Sequence, residues 1–91
     1  MSESRTYTLV LSAAAERAIE GDLPEPVAVA AVVFLYGPLA ADPHRVGKHL
    51  RFDLEGYWSA RRGQYRVIYS IQEEEILVRV VRISHCADVY G

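Results

Sequence analysis

The chain has 91 residues, of which 51% are hydrophobic and 24% are charged; this composition indicates one globular domain over residues 1–91 and excludes a disordered chain. The single cysteine excludes an internal disulfide, and no Cys/His spacing matches a zinc site, so we expect no metal and no other cofactor. The charged N-terminus is unlike a signal peptide and the longest apolar run is too short to cross a bilayer, so we expect a cytoplasmic protein without membrane contact.

The first half of the sequence predicts one strand followed by two helices. Residues 6–11 are rich in Thr, Val and Leu, which favours a strand. Ser12 stands where a helix N-cap belongs, ahead of a run of Ala, Glu and Arg that ends at Gly21. The prolines after Gly21 suit a first helical turn, and we expect this second helix to end at Gly37-Pro38.

The second predicted helix is apolar on two sides. One side carries Val29, Val32, Val33 and Tyr36 at helical spacing, and the opposite side carries Ala28, Ala31 and Leu35. We therefore expect the helix to be deeply packed, although its many β-branched residues leave a strand over part of it as an alternative.

The second half predicts a long connection and three strands. The connection after Gly37-Pro38 has turn residues and no sustained period, so we expect a functional loop. Two β runs are broken at Arg62-Gly63-Gln64, which indicates a hairpin, and a third strand follows a turn at Gln72 to Glu74. The predicted fold class is α+β: an N-terminal strand and a two-helix hairpin pack on an antiparallel sheet completed by three C-terminal strands, in the order β-α-α-β-β-β.

Positive charge is concentrated in the middle of an acidic chain. Between His44 and Arg66 six basic residues face two carboxylates, a net charge of +4 in a chain of net charge −2. Arg61 and Arg66 lie on the two arms of the predicted hairpin, where two guanidinium groups would form a phosphate clamp. The alternative is that they are solvent-facing arginines paired with Asp53 or Glu55.

The last two strands differ in how their residues alternate. In the first of them Tyr65, Val67, Tyr69 and Ile71 share one face, which predicts a core position for Tyr69. The final strand is apolar on both faces, as expected for a central strand covered on both sides, and Arg82 stands near its end. His85 follows as a surface residue or a catalyst, Asp88 suits a turn, and Tyr90 is a tether or an exposed phenol.

Three sequence elements follow one another between residues 43 and 90. The first, P-x-R-x-G-K-x-L, is carried by Pro43, Arg45, Gly47, Lys48 and Leu50. The second, L-x-G-x-(W/F)-x-x-R-x-G-x-Y-R-(V/L)-x-Y, is carried by Leu54, Gly56, Trp58, Arg61, Gly63, Tyr65, Arg66 and Tyr69. The third ends the chain with His85, Val89 and Tyr90. Together they resemble the RelE branch of the RelE/ParE toxin superfamily, whose fold has the β-α-α-β-β-β order.

The resemblance implies a function and a set of partners. RelE-type toxins enter the ribosomal A site and cut mRNA there without a metal, and a cognate antitoxin holds them inactive. The ribose 2′-OH attacks the adjacent phosphate, which calls for charge stabilisation and two proton transfers. By this resemblance Arg61 and Arg66 would hold the scissile phosphate, and His85 and Tyr90 would act in proton transfer or base stacking. The remaining basic residues expected to bind RNA are Arg45, Lys48, Arg51, Arg62 and Arg82.

Departures from the family pattern keep other functions open, among them Ser59 and Ala60 at positions where some members carry a basic residue. Cys86 stands where the pattern has an arginine, and a thiol cannot replace a fixed positive charge. The net charge of −2 is also unlike the strongly basic members of the family. The alternatives are a ParE-like toxin that poisons DNA gyrase and a catalytically weakened homologue that only binds its antitoxin.

Overall fold

The structure, a computed structural model, describes residues 6–51 and 56–86. In chain order its elements are β1 (Thr8–Leu11), α1 (Ala13–Arg17) with a π-helical turn (Ala18–Asp22), α2 (Glu25–Phe34) with a second π-helical turn (Leu35–Leu39), β2 (Lys48–His49), β3 (Trp58–Arg62), β4 (Tyr65–Gln72), a 3-10 turn (Glu73–Glu75) and β5 (Leu77–His85). The predicted order of strand, helix pair and three strands is confirmed, and β2 is an additional short strand inside the predicted connection.

The two helices begin as the sequence predicts, but the second ends later. The Ser12 hydroxyl oxygen accepts a hydrogen bond from the Ala15 N–H at 3.0 Å, so Ser12 is the N-cap of α1. The predicted end of the second helix at Gly37-Pro38 is wrong, because the π-helical turn continues through Pro38 to Leu39. A proline removes one N–H and crowds the carbonyl four residues earlier, and the wider π turn relieves that crowding.

The sheet is mixed rather than wholly antiparallel. Its strands lie in the order β1-β5-β4-β3-β2, and β1 runs parallel to β5 with Leu11 opposite Val80. The α1–α2 pair leads from β1 at one edge of the sheet to β2 at the other, and β2, β3, β4 and β5 then follow one another antiparallel. The prediction that the final strand is central is confirmed, since β5 lies between β1 and β4.

The helices cover one face of the sheet, and the core lies between the two layers. Tyr69 is fully buried there, as predicted. The other strand residues of this core are Ala60, Tyr65, Val67, Val78, Val80 and Ile83. The opposite face, called here the open face, carries no helix from the described part of the chain. The prediction that β5 is covered on both sides is wrong, because Arg79 and Arg82 are exposed.

Helix α2 is packed on one side only. Ala28, Ala31 and Leu35 are buried against the sheet, whereas Val29 and Val33 are 57% and 65% exposed. The expectation of a deeply packed helix is therefore wrong, because the single sheet offers α2 only one surface to pack against. Over residues 6–51 and 56–86 no helix is both long and apolar enough to cross a bilayer.

Candidate functional site

Charge is segregated between the two layers of the molecule. The five strands contain no Asp or Glu, and their basic residues are Lys48, Arg61, Arg62, Arg66, Arg79 and Arg82. The helical segment from Ala13 to Leu39 has the opposite balance, with Glu16, Glu20, Asp22 and Glu25 against Arg17. The net charge of −2 thus conceals a basic sheet beneath an acidic helical layer.

The Arg61–Arg66 pair lies on the open face, beside the β3–β4 turn. The β3–β4 hairpin turns at Gly63, whose φ of +55° lies in the left-handed region that glycine tolerates. Arg61 stands directly opposite Arg66, one pair beyond the Arg62–Tyr65 pair that closes the turn. In a two-residue hairpin that position is a non-hydrogen-bonded pair, where the two Cα atoms lie about 4.5 Å apart and the side chains are closest.

The two arginines are not neutralised by the described part of the chain. Both are exposed, and over residues 6–51 and 56–86 the ion pair found is that of His44 with Glu73, far from the hairpin in sequence. The alternative pairing with Asp53 or Glu55 lies outside the described residues. Two like charges held opposite each other on a sheet destabilise it, so the arrangement favours binding of an anion.

A basic groove lies between this hairpin and the loop that precedes β2. It has a volume of about 610 Å³ and is lined by Arg45, Val46, Gly47, Lys48, Leu50, Ser59, Arg61, Arg62 and Arg66. Strand β2 pairs with β3 so that Lys48 stands opposite Ser59, which aligns the loop with the hairpin. The predicted RNA-binding residues Arg45, Lys48 and Arg62 are therefore brought together with the predicted clamp.

The loop is fastened to the sheet through Tyr69. The Tyr69 hydroxyl donates a hydrogen bond of 2.7 Å to the carbonyl oxygen of the fully buried Pro43. A Cβ at Gly47 would overlap that hydroxyl and lie 2.8 Å from the Ser59 carbonyl oxygen, so this close approach requires glycine. Burial raises the pKa of Tyr69 to about 12, and nearby Arg62 opposes part of the rise. Sequence reasoning assigned Tyr69 to the core and missed its role as an anchor for the loop.

Arg62 is a second anchor of the same loop. Its guanidinium donates hydrogen bonds to the carbonyl oxygens of Arg61 at 3.0 Å and Val46 at 3.4 Å. Its central carbon also lies 5.0 Å from the centre of the Phe34 ring on α2, a cation–π contact. These contacts hold the Arg62 side chain toward the helical layer, whereas Arg61 projects from the open face.

The other predicted site residues are more dispersed. His85 stands opposite the buried Tyr65, so its side chain leaves the sheet on the helical side and does not join the Arg61–Arg66 pair. Arg51 is exposed just beyond β2, and Cys86 carries a free, half-buried thiol. Tyr90 and Asp88 lie outside the described residues. No cluster of three metal-ligating side chains occurs in the described ranges.

The comparisons with known proteins agree with this architecture. A family model described as "ParE toxin of type II toxin-antitoxin system, parDE" matches residues 28–90. Toxin RelE of Mycobacterium tuberculosis is 44% identical over 90 residues, which cover 99% of this chain and 92% of that protein. Toxin RelG of the same organism is 43% identical over 84 residues, covering 92% of this chain and 95% of that protein.

Solved structures match the chain along nearly its whole length. The crystal structure of the toxin–antitoxin complex RelBE2 from M. tuberculosis contains a chain that is 40% identical, with a TM-score of 0.88 and coverage of 97% of this chain and 100% of that one. The isolated E. coli RelE toxin shares the fold, with a TM-score of 0.71 at 18% identity and coverage of 92% and 90%. The chain therefore belongs to the RelE/ParE superfamily of type II toxins, in its RelE branch.

Proposed function

We propose that this protein is a ribosome-dependent mRNA endonuclease that inhibits translation in the cytoplasm. The observation that carries the proposal is the Arg61–Arg66 pair, which is exposed and unneutralised within the described residues, on a sheet without carboxylates. In the reaction the ribose 2′-OH attacks the adjacent phosphorus and the bond to the leaving 5′-oxygen breaks. The products are a 2′,3′-cyclic phosphate and a free 5′-OH end, and no metal is required.

The arginine pair supplies the charge stabilisation for this step. Negative charge grows on the non-bridging phosphoryl oxygens as the 2′-oxygen attacks, and planar guanidinium groups bind such oxygens in a bidentate manner. The backbone pairing of the two neighbouring strands already brings both residues side by side, so the two guanidinium groups start close together. Removal of one preorganised donor of this kind typically lowers kcat by about 10²–10³.

The basic groove directs the RNA toward the pair. Arg45 and Lys48 line it from the loop side, and Arg51 continues the same edge. Contacts of lysine and arginine with phosphates set the affinity and position of the strand without reading its sequence. Ribosomal RNA and mRNA are the polyanions that this surface would meet in the A site.

Proton transfer is the second requirement of the reaction. His85 and Tyr90 are predicted for it by resemblance, but His85 lies on the opposite face of the sheet from Arg66. We therefore assign the arginine pair the larger share of the rate, and His85 a contribution that depends on rearrangement at the end of β5.

Cleavage of mRNA on programmed ribosomes tests the proposal. Purified protein is added to ribosomes holding a defined codon in the A site, and cut ends are mapped by primer extension. Arg66→Ala should reduce cutting by about 10²–10³. Arg17→Ala, an exposed arginine of the helical layer, is the matched control and should leave cutting unchanged. Intact message at stoichiometric wild-type protein would refute the endonuclease.

An antitoxin is the second proposed partner, and the exposed side of α2 supports it. Val29, Val33 and Tyr36 are each more than half exposed and form one stripe, and apolar patches of this kind mark protein interfaces. Solved RelBE structures are toxin–antitoxin complexes. Co-expression with the protein of the neighbouring reading frame should give a stable complex, and Val33→Lys should weaken it, whereas Arg17→Ala should not.

Poisoning of DNA gyrase is the competing function. The matching family model is described as a ParE toxin, which supports this alternative. Inhibition of DNA supercoiling by gyrase in the presence of the purified protein distinguishes it from the endonuclease. The third candidate, a weakened homologue, follows from Cys86, which carries no fixed positive charge. Cys86→Arg should then raise cleavage, and an unchanged rate would count against that candidate.

A further inference from the structure

Strand β5 contains a β-bulge that changes which face Arg82 occupies. Tyr69 stands opposite Val80, but the next residue of β4, Ile68, stands opposite Arg82, so Val81 is an extra residue in β5. In a regular strand Arg82 would share the buried face of Val78 and Val80. The bulge instead places Arg82 on the open face, where it is exposed.

Ser12 holds this bulge in place. Its hydroxyl donates a hydrogen bond of 2.6 Å to the Val81 carbonyl oxygen, and its N–H donates one of 2.9 Å to the Val80 carbonyl oxygen. The same hydroxyl oxygen also caps α1 by accepting from Ala15. One side chain thus satisfies the carbonyl that the bulge frees and joins the end of β1 to the middle of β5.

The bulge brings a third guanidinium toward the Arg61–Arg66 pair. Arg66 stands opposite Ser84, and Arg82 lies two residues from Ser84 on the same face, diagonal to Arg66. Diagonal neighbours on adjacent strands have Cβ atoms about 7–8 Å apart, within reach of two arginine side chains converging on one phosphate. Arg79, by contrast, stands opposite Ser70. Ser70 is four residues from Arg66, which places Arg79 about 13 Å from Arg66 along the strand.

We propose that Arg82 is a third ligand of the phosphate held by Arg61 and Arg66, and that Ser12 positions it through the bulge. The proposal rests on the proposed RNA function and deepens it by naming a further substrate contact. Three guanidiniums on three adjacent strands surround one face of a phosphoryl group. Arg82 supplies its charge from β5, whereas Arg61 and Arg66 approach from the β3–β4 hairpin.

A second groove near Arg82 lies beside the part of β5 that extends beyond its pairing with β1. That groove, of about 560 Å³, lies between the first helix and all five consecutive residues 81–85. Consecutive residues of a strand point to opposite faces, so a lining that includes every one of them is formed by the strand's edge. Arg82 is one of the lining residues, and its position opposite Ile68 places its Cβ on the open face.

The test uses single-stranded RNA with a 2′-deoxy substitution at the cleavage position, which the protein binds without cutting. Affinity is measured against salt concentration, because a variant that neutralises one phosphate fewer on a single strand has a salt slope smaller by about 0.7. Arg82→Ala should lower the slope by about that amount and reduce ribosomal cleavage about 10²-fold. The matched control, Arg79→Ala, should leave both unchanged. Equal slopes for the two variants would overturn the proposal.

Ser12 variants test the positioning role separately from stability. Ser12→Ala should lower the salt slope as Arg82→Ala does, under conditions where circular dichroism shows a folded protein. Ser12→Thr, which retains a hydroxyl group, should have the wild-type slope. A Ser12→Ala variant that is less stable but keeps the wild-type slope would overturn the positioning role. If the wild-type protein binds RNA but cuts no message, the endonuclease is refuted, and the slopes of the Arg82 and Arg79 variants still decide whether Arg82 is a phosphate ligand. If the wild-type protein binds no RNA, both the endonuclease and the role of Arg82 are refuted.

Discussion

Gly47→Ala tests whether the basic loop is fastened to the sheet through Tyr69. The new methyl group would overlap the Tyr69 hydroxyl and lie 2.8 Å from the Ser59 carbonyl oxygen. Neither neighbour can yield easily, because the carbonyl belongs to strand β3 and the Tyr69 ring is fully buried. The hydroxyl must therefore move, and with it the 2.7 Å hydrogen bond to Pro43.

The expected magnitude follows from two costs. Forcing an extra methyl group into a packed site costs about 1–3 kcal/mol, and losing one intramolecular hydrogen bond costs about 1 kcal/mol. Together they amount to about 2–4 kcal/mol, a large part of the roughly 5–15 kcal/mol that stabilises a domain of ordinary size. For a domain of 60–100 residues this corresponds to a fall in Tm of about 8–32 °C.

Thermal unfolding of Gly47→Ala, Tyr69→Phe and the double variant is the assay. Removing the hydroxyl removes the closest overlap, so the double variant should be more stable than the two single effects would predict, by about 0.5–3 kcal/mol. Gly21→Ala is the control, since a Cβ there meets no atom within 4 Å. A Gly47→Ala variant with wild-type Tm, or strict additivity in the double variant, would show that the loop is not fastened in this way.

Three further predictions concern charge and protonation. Arg61→Gln should raise the free energy of unfolding by about 0.2–1 kcal/mol at low salt, because it removes the repulsion with Arg66. The gain should be smaller at high salt, and the same substitution should weaken RNA binding. The pKa of Tyr69 is about 12 in the folded state and near 10 in the unfolded chain. The free energy of unfolding should therefore fall as the pH rises from about 10 to about 12, and it should fall less in Tyr69→Phe. In the ribosome assay His85→Ala should lose less cleavage than Arg66→Ala, and an equal loss would refute the assignment of the larger share to the arginines.

Local signals in the sequence were sufficient for much of the fold. The helix cap at Ser12 and the hairpin at Gly63 depend on residues close together in the chain, and both were predicted at the right positions. The parallel pairing of β1 with β5 joins residues about 70 positions apart. Periodicity indicates that a segment is a strand but says nothing of its partner or direction, so the mixed sheet was not predictable from pattern.

The errors along β5 and α2 have one cause. Both segments are apolar on two sides, and a pattern of that kind predicts burial on two sides. In β5 the apolar residues conceal the bulge at Val81, after which buried and exposed positions exchange. In α2 they conceal the exposed stripe at Val29 and Val33, because an exposed apolar patch has the same composition as a core.

The site was predictable where it depended on the hairpin alone. Arg61 and Arg66 are five residues apart, and a two-residue turn necessarily places them opposite each other. The prediction that His85 joins them required correct alternation through β5 and its register with β4, which the bulge changes. The anchoring of the loop by Tyr69 depends on a contact with Pro43, 26 residues away, and only the folded structure reveals it.

The separation of charge explains how a chain with a negative net charge could bind the polyanionic target proposed for it. Salt screens exposed charges beyond about 8 Å at physiological ionic strength, so a bound phosphate responds to the nearest side chains rather than to the net charge. On the open face those side chains are arginines and a lysine on strands without carboxylates. The helical layer carries the acidic surplus on the far side of the sheet, around the exposed apolar stripe of α2. A partner docked there would meet negative charge, so a basic amphipathic segment would complement that surface, while the proposed RNA would bind the open face.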